Sequence, residues 1–252
     1  MDSLCQKPRT GRGLQGDYTM LIFGIDTCCM AATAALMDED RLLAQTVVNH
    51  KKTHSQKMMP QIEVMFRFAD CMPQDVDCFA AAVGPGSFTG VRIGVATAKA
   101  LAQACQKPCA AVSTLHALAF SSSVFGGILC PILDARRDQV YNGLFRGGKT
   151  FERIEADRAL ALQDLLLELS GQNLPVLFCG DGVLVYKDEI VKRLGDQACF
   201  ASRMQNMNLG AAVAEIGLSL FLQGETVAYG DLTPQYIRLS QAERERLSRK
   251  EN

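Results

Sequence analysis

Residues 82–102 read AVGPGSFTGVRIGVATAKALA, an apolar run that passes through a glycine-rich turn into a long segment of small residues. This order predicts a buried strand over 78–83 and a helix over 90–105. A turn from strand to helix gathers backbone N–H groups at the positive end of the helix dipole, where a phosphate binds well. The stretch therefore allows two interpretations, a phosphate loop or a plain strand-to-helix turn.

The chemistry of the loop favours the plain turn. GPGSFTG has neither the Lys-Ser/Thr ending of a Walker loop nor the spacing of a dinucleotide-binding turn. In the plain interpretation Gly84 and Gly86 adopt positive φ angles, and the helix is capped by Ser87 or Thr89. The phosphate interpretation stays open, and its candidate residues lie in the loop and at the end of the first strand: Asp26, Thr27, Gly84, Gly86, Ser87, Thr89 and Gly90.

Strands and helices recur in the same order in the two halves of the chain. Apolar runs predict strands over 20–26, 31–37, 41–48, 78–83 and 109–112, and then over 127–136, 139–145, 150–156, 175–180 and 198–201. Amphipathic or small-residue segments predict helices over 55–69, 90–105, 159–171, 181–195 and 208–224, with a short one from Thr114. Asn208 is the expected N-cap of the last helix, and Gly224 lies beyond its end. Each half therefore reads β-β-β-α-β-α.

This duplicated order predicts an α/β protein with the actin-like ATPase (ASKHA) fold, two similar domains with a cleft between them. Asp26 and Asp134 come at the same place in each half, where the first strand turns into the second. A nucleotide in such a fold lies between the domains, so the two carboxylates are candidates for positioning a magnesium–nucleotide. The alternative is that each carboxylate caps its own turn. We expect surface ion pairs over 134–138, DARRD.

The predicted division of the chain follows the two halves. It comprises a disordered N-terminal extension over 1–19, domain I over 20–112, domain II over 113–207, and a C-terminal segment over 225–252 with a disordered tail from about 240. The helix over 208–224 is expected to return to domain I and complete it. A start codon at Met20 is the alternative to an extension.

Composition restricts the compartment and the class of partner. The net charge of −1 provides no global basic field, so nucleic acid would have to be held mostly by a partner. The ten cysteines lie largely inside apolar runs without a CxxC pair, and the first 19 residues lack the apolar core of a signal peptide. No apolar run approaches the roughly 18 residues of a membrane span. These features predict a cytoplasmic protein that does not enter membranes.

Five segments together resemble the TsaB family, also called YeaZ. They are GIDT at 24–27, the glycine-loop segment at 84–102, STLHALA at 113–119, LDARRDQVYNGLF at 133–145 and PQYIRL at 234–239. The resemblance covers roughly residues 20 to 240 and implies the same actin-like fold. It also implies a role in the bacterial machinery that makes N6-threonylcarbamoyladenosine in tRNA, next to the anticodon.

The resemblance implies partners for the chain rather than chemistry of its own. TsaB proteins are paralogues of TsaD, the subunit that transfers the threonylcarbamoyl group, and they pair with it as a dimerisation and scaffold subunit that also supports the ATPase TsaE. A homodimer is expected when TsaD is absent, and tRNA is reached only through the complex. ATP or ADP with magnesium is expected only at the level of that complex.

The histidines do not match the metal site that the resemblance implies for the catalytic paralogue. TsaD-type subunits use two histidines four residues apart, and the aligned positions here hold Thr114 and Leu118, with His116 between them. One imidazole cannot make that site. His50 and His54 have an HxxxH spacing without a third ligand nearby. We therefore predict no metal site and no catalytic residue in this chain.

Two of the predicted helices have a wider apolar surface than packing on a sheet requires. The apolar arc over 57–69 is about 220° against the roughly 100° needed, and small residues cover most of 91–104. Burial of both helices in the core is the alternative. The resemblance favours a partner surface, because TsaB-type subunits pair through this helix couple. Its predicted residues are Met58, Met59, Ile62, Met65, Phe66, Val91, Gly94, Val95, Ala98 and Leu101.

Other classes of function remain as alternatives. An actin-like ATPase or kinase acting alone is one, and a hydrolase of the kind labelled glycoprotease, working without a metal, is another. Cys28 and Cys29 are poor nucleophiles for a hydrolase, because the neighbouring Asp26 raises a thiol pKa. A third alternative is a homodimeric binding module that acts elsewhere.

Overall fold

Two five-stranded sheets with the same topology organise the chain in the computed structural model, which describes residues 20–49 and 54–238. The first sheet has the order β3-β2-β1-β4-β5, with β1 Leu21–Asp26, β2 Ala32–Asp38, β3 Leu42–Val48, β4 Cys78–Gly84 and β5 Cys109–Ser113. The second has the order β8-β7-β6-β9-β10, with β6 Ile128–Asp134, β7 Gln139–Arg146, β8 Glu152–Ala161, β9 Val176–Cys179 and β10 Ala198–Phe200.

Strand directions confirm the duplication predicted from the order of elements. In each sheet the first three strands pair antiparallel, and the last two are parallel to the first. The actin-like α/β architecture of two similar units is therefore confirmed.

Helices cover both faces of both sheets. They are α1 His54–Phe68, α2 Phe88–Cys105, α3 Thr114–Phe120, α4 Leu162–Ser170, α5 Gly182–Leu194 and α6 Gly210–Gln223, with short 3-10 turns at Pro73–Asp75 and Gly195–Gln197. Helices α1 and α2 pack on the first sheet, and α4 and α5 on the second. Helix α6 packs on the first sheet and contacts α3, which contacts both sheets. Central strands β1 and β4 are buried along their whole length, as continuous apolar runs require.

Two predictions made from local pattern were wrong. The third strand of the second half was predicted over 150–156 and the next helix from 159, but β8 continues to Ala161. The reason is that β8 stays paired with β7 as far as Gln139. Residues 159–161, whose pattern predicted a helix, are therefore part of the strand. The last helix is not capped by Asn208. Its N-cap is Leu209, because the Asn208 amide donates instead to backbone carbonyls of the first half.

Helix α6 lies unusually close to the first sheet, because glycines line the contact. A Cβ on Gly24 of β1 would lie 2.4 Å from the Gly210 carbonyl oxygen. A Cβ on Gly217 would lie 2.4 Å from the Cβ of Ala80 in β4. The chain thus returns to its first sheet after building the second. A domain boundary near residue 112 stays a prediction.

After α6 the chain runs as a C-terminal segment, residues 225–238, along the first half and then to the second. Cys109 and Val227 form an isolated antiparallel bridge, and the Lys99 ammonium donates to the Gly230 carbonyl at 2.7 Å. The Arg238 guanidinium donates to the carbonyl of Ala135, in the turn after β6, at 3.0 Å. The segment therefore connects the two halves.

The contact of α6 with β4 gives a direct test of the packing. Gly217→Ala adds one methyl group against the Cβ of Ala80, so we expect the free energy of unfolding to fall by about 2 kcal/mol despite the better helix propensity of alanine. Urea denaturation measures the change. Gly126→Ala is the control, because its Cβ meets no atom within 4 Å, and its stability should stay within about 0.5 kcal/mol of wild type. Equal stability of the two variants would contradict the close contact.

Candidate site at the junction of the two halves

The glycine loop packs against the turn between β1 and β2. The backbone N–H of Ser87 donates to the Cys28 carbonyl at 2.7 Å, and the Thr27 hydroxyl donates to the Gly90 carbonyl at 2.6 Å. There is no room for side chains at this contact, since a Cβ on Gly90 would lie 2.0 Å from the Thr27 carbonyl oxygen. A Cβ on Gly94 would lie 2.6 Å from the Thr27 hydroxyl oxygen. The glycines therefore serve close approach of two backbones.

The cap of α2 follows the plain interpretation of the loop. Ser87 is the N-cap, and its hydroxyl accepts from the Gly90 N–H at 3.3 Å, while Thr89 is exposed in the first turn. Gly84 has φ +115°, and Gly86 is held against Cys28, where a Cβ would lie 2.4 Å from the carbonyl oxygen. Two N–H groups that a phosphate would need, those of Ser87 and Gly90, are thus bonded within the protein. Phosphate binding here stays a prediction that these bonds do not favour.

Asp26, at the end of β1, is fully buried. One carboxylate oxygen accepts from the Cys28 N–H at 2.7 Å, and the other, Oδ2, has no hydrogen-bond partner. Burial raises the pKa of Asp26 to about 6, against the lowering effect of the bond from Cys28. The Asn208 amide closes the site from the α6 side by donating to the carbonyls of Asp26 and Ala31 at 3.3 and 3.1 Å.

The equivalent acid of the second half, Asp134, is held differently. Its Oδ1 accepts from the Arg136 N–H at 2.8 Å and from the Tyr186 hydroxyl at 3.1 Å, and Arg136 pairs with Oδ2 at 3.4 Å. The expected ion pair in this segment is therefore present. The Asp134 N–H donates to Asp181 at 3.2 Å, and burial raises the pKa of Asp181. Sequence reasoning missed Asp181, although an acid directly after the buried run at 175–180 was a visible signal.

The carboxylates do not fit a magnesium–nucleotide. Asp26 has no exposed surface, so it cannot contact a ligand in the cleft, and the two acids cap their own turns instead. The space at the junction, lined by Cys29, Gly180, Asp181 and Asn208 among others, is about 90 Å³, whereas small-molecule sites are roughly 300 Å³ or larger. A larger space, of about 350 Å³, lies beside α5 and β10. All of its lining residues belong to the second half, so it is not at the junction.

The cysteines and His116 are in environments that suppress reactivity. The pKa values of the Cys28 and Cys29 thiols are raised well above the usual value. Burial is the larger cause, and the charge of Asp26 is the second. The His116 ring stacks on Phe145 and Phe151, with centroids 5.5 and 5.4 Å away. The pKa of His116 is lowered to about 4, mainly by burial and secondly by the positive charge of the nearby Arg153. These groups serve packing rather than nucleophilic or acid–base chemistry.

Metal binding gains no support from the geometry. Among residues 20–49 and 54–238, no group of three or more His, Cys, Asp or Glu side chains is arranged to hold a metal ion. Thr114 and Leu118, at the positions aligned with the paralogue's histidines, are buried. His50 lies outside the described residues, and so does the side chain of His54.

The structure also contains no helix, over the part of the chain that it describes, that is long and apolar enough to cross a membrane.

The predicted partner surface needs correction at most of its positions. Eight of its ten residues are buried, because they form the inner faces of α1 and α2 against the first sheet: Met58, Ile62, Met65, Phe66, Val91, Gly94, Val95 and Ala98. The wide apolar arc is thus partly core. Only Met59 and the half-buried Leu101 reach the surface.

Another set of apolar residues lies outside on the same two helices. We call these exposed or half-buried residues the outer helix face: Met59, Pro60, Val64 and Phe68 of α1, and Ile93, Ala96, Ala100 and Leu101 of α2. Phe68 has 80% of its surface exposed. On α2 the side chains are mostly small, so a second helix can approach closely.

Comparison with known proteins agrees with the motifs. The family model for TsaD, tRNA N6-adenosine threonylcarbamoyltransferase, matches residues 41–243. The tRNA threonylcarbamoyladenosine biosynthesis protein TsaB of Bacillus subtilis (strain 168) is 36% identical over 225 residues, covering 89% of this chain and 96% of that protein. This chain belongs to the TsaB family. The TsaB of Escherichia coli (strain K12) is 29% identical over 231 residues, covering 87% and 95% of the two chains.

Solved structures show the same TsaB fold. A Pseudomonas aeruginosa protein described as uncharacterized, with similarity to peptidase YeaZ, superimposes with a TM-score of 0.75 at 25% identity. The match covers 87% of this chain and all of that one.

The buried carboxylate predicts a pH dependence of stability. The pKa of Asp26 is 3.8 in the unfolded chain and about 6 in the folded one, so the folded chain holds an extra proton between these values. Stability from this group is therefore full below about pH 4 and is lost as the pH rises through about 6. We expect Asp26→Asn to match wild type below about pH 4 and to be about 3 kcal/mol more stable above pH 7.

Urea denaturation across this pH range measures the effect. Asp188→Asn, at an exposed position of α5, is the control and should keep the wild-type pH dependence. An Asp26→Asn variant whose stability follows wild type at every pH would show that the carboxyl is not protonated by burial.

Proposed function

We propose that this TsaB-family chain is a non-catalytic dimerisation and scaffold subunit in the synthesis of N6-threonylcarbamoyladenosine in tRNA. The observation that carries the proposal is the 36% identity, over nearly the full length of both chains, with the Bacillus subtilis protein named for that pathway. The match of residues 41–243 to the TsaD family supports pairing with a TsaD subunit, because it indicates that the two chains share one fold.

The geometry supports a partner role more than an independent activity. The space at the junction is small, Asp26 is sealed, and the junction thiols Cys28 and Cys29 have raised pKa values. The reaction then takes place on TsaD, and ATP or ADP with magnesium acts at the level of the complex that includes TsaE. Nine cysteines in the described part of the chain are all free, in keeping with a reducing cytoplasm.

The outer helix face is the surface that we assign to TsaD. Phe68 and the flanking Val64 and Pro60 form an apolar stripe along α1, because residues four apart lie on one side of a helix. The small residues of α2 lie on the neighbouring helix, since α1 and α2 contact each other. In the absence of TsaD, the same face would make the homodimer, because a two-fold contact uses one surface twice.

Charge on this face should abolish pairing without unfolding the chain. We expect Phe68→Asp combined with Ala100→Asp to weaken binding to the cognate TsaD by at least about 100-fold, because both charges would be desolvated in the interface. Size-exclusion chromatography with light scattering, on the chain, TsaD and their mixture, measures the complex. Leu184→Asp, at an exposed apolar position of α5, is the control and should pair normally.

The buried positions give a second control. Met65→Asp with Ala98→Asp should unfold the chain, seen as loss of its circular dichroism, because both side chains are within the core. If the wild-type chain does not bind TsaD and instead hydrolyses ATP or peptide alone, the scaffold role is wrong.

A further inference from the structure

A set of aromatic and arginine side chains, exposed except for the half-buried Arg238, lies at the beginning of α2, in the C-terminal segment and in the turn after β6. We call it the arginine–aromatic strip, and its members are Phe88, Arg92, Arg136, Arg137, Tyr236 and Arg238. We propose that this strip binds single-stranded RNA, namely the anticodon loop of the tRNA. The inference rests on the proposed function for the identity of the RNA.

Three planar groups form the centre of the strip. The rings of Phe88 and Tyr236 stack with centroids 5.0 Å apart, and the Arg92 guanidinium carbon lies 3.8 Å from the centre of the Phe88 ring. The Arg92 Nε donates to the Tyr236 hydroxyl at 2.8 Å. Phe88 and Tyr236 remain 38% and 45% exposed. Exposed aromatic rings and guanidinium planes are the groups on which unpaired bases stack.

The planar groups are held in place before any ligand arrives. Phe88 and Arg92 lie in the first turns of α2, which is fixed by its cap on the glycine loop. Tyr236 follows Gln235, whose N–H donates to the Val83 carbonyl at 2.8 Å, and Lys99 holds the chain upstream. Such preorganisation lowers the entropic cost of binding.

The arginines at the other end of the strip are presented by a strained turn. Arg136, Arg137 and Asp138 have φ angles of +65°, +55° and +55°, which cost roughly 1 kcal/mol or more for each residue other than glycine. The turn is held by the Arg136 N–H on Asp134 and by the Leu162 N–H on the Asp138 carbonyl, 3.0 Å away. The Arg136 side chain is 88% exposed and pairs with Asp134.

The strip is positively charged on a chain whose net charge is −1. Its four arginines outnumber the three acids at and beside the turn, Asp134, Asp138 and Asp181, and Asp134 is paired with Arg136. Arg238 joins the two ends, because it comes two residues after Tyr236 and donates to Ala135. Arginines beside stacking rings match the phosphates and bases of a single strand. An acidic protein segment would use only the charges of the strip.

The position of the strip fits a substrate shared with a catalytic partner. Its aromatic end lies at the beginning of α2, whose outer face we assign to TsaD. RNA bound there would lie at the edge of the interface between the subunits. A chain without a global basic field can contribute such a limited contact when the partner holds most of the tRNA.

Ultraviolet crosslinking and fluorescence anisotropy test the assignment. The probe is an unmodified, labelled anticodon stem–loop transcript with adenosine directly 3′ of the anticodon, added to the full chain alone and with TsaD. Arg92→Ala with Tyr236→Ala should weaken binding about tenfold, and Tyr236→Phe should bind like wild type because it keeps the ring. Arg136→Ala with Arg137→Ala should also reduce the salt dependence of binding, by roughly one in the log–log slope.

The control removes two positive charges elsewhere. Lys192→Ala with Arg193→Ala, in the exposed last turn of α5, should leave binding within about twofold of wild type. Crosslinks in the wild-type chain should map to the peptides containing Phe88 or Tyr236. Absent crosslinks to this chain, or strip variants that bind RNA like wild type, would overturn the proposal.

Two further outcomes separate this proposal from the scaffold role. Strip variants that lose TsaD in size-exclusion chromatography but keep RNA crosslinking would identify a protein contact, and the RNA assignment would be wrong. Failure of the wild-type chain to bind TsaD would defeat the scaffold role, while crosslinking on the chain alone would still decide whether the strip binds RNA.

Discussion

The approach of the glycine loop to the turn after β1 is the contact on which the other surfaces depend. The Thr27 hydroxyl bonds the Gly90 carbonyl, and any side chain at Gly90 would overlap the Thr27 backbone. This contact fixes where α2 begins and the direction in which it leaves the sheet. The outer helix face and the aromatic end of the strip are both carried by α2, so their positions follow from it.

Much of the fold was accessible to local reasoning because its signals are local. Central strands are continuous apolar runs, the glycine loop contains its own cap in Ser87, and Gly224 ends α6 in the left-handed conformation. Where local pattern and tertiary pairing disagreed, pairing prevailed. The apolar residues at 159–161 were predicted to be helical, but they pair with β7 and belong to β8.

The candidate site was less accessible because its contacts join distant residues. Asp26 read as a cleft residue, yet Asn208, far along the chain, helps to seal it. The partner surface was misassigned because an apolar arc does not show which part of it faces the sheet, and Met65 and Ala98 proved to be core. The stacking of Tyr236 on Phe88 joins the C-terminal segment to α2. A contact between residues so far apart in the sequence cannot be predicted from hydrophobic periodicity.

The C-terminal segment has a consequence for how the two halves are connected. It bonds β5 through Val227, the end of β4 through Gln235 and the turn after β6 through Arg238. These bonds tie α2 to the second half at a set separation. The helix that carries the outer helix face and the turn after β6 are thus joined through one short segment of chain.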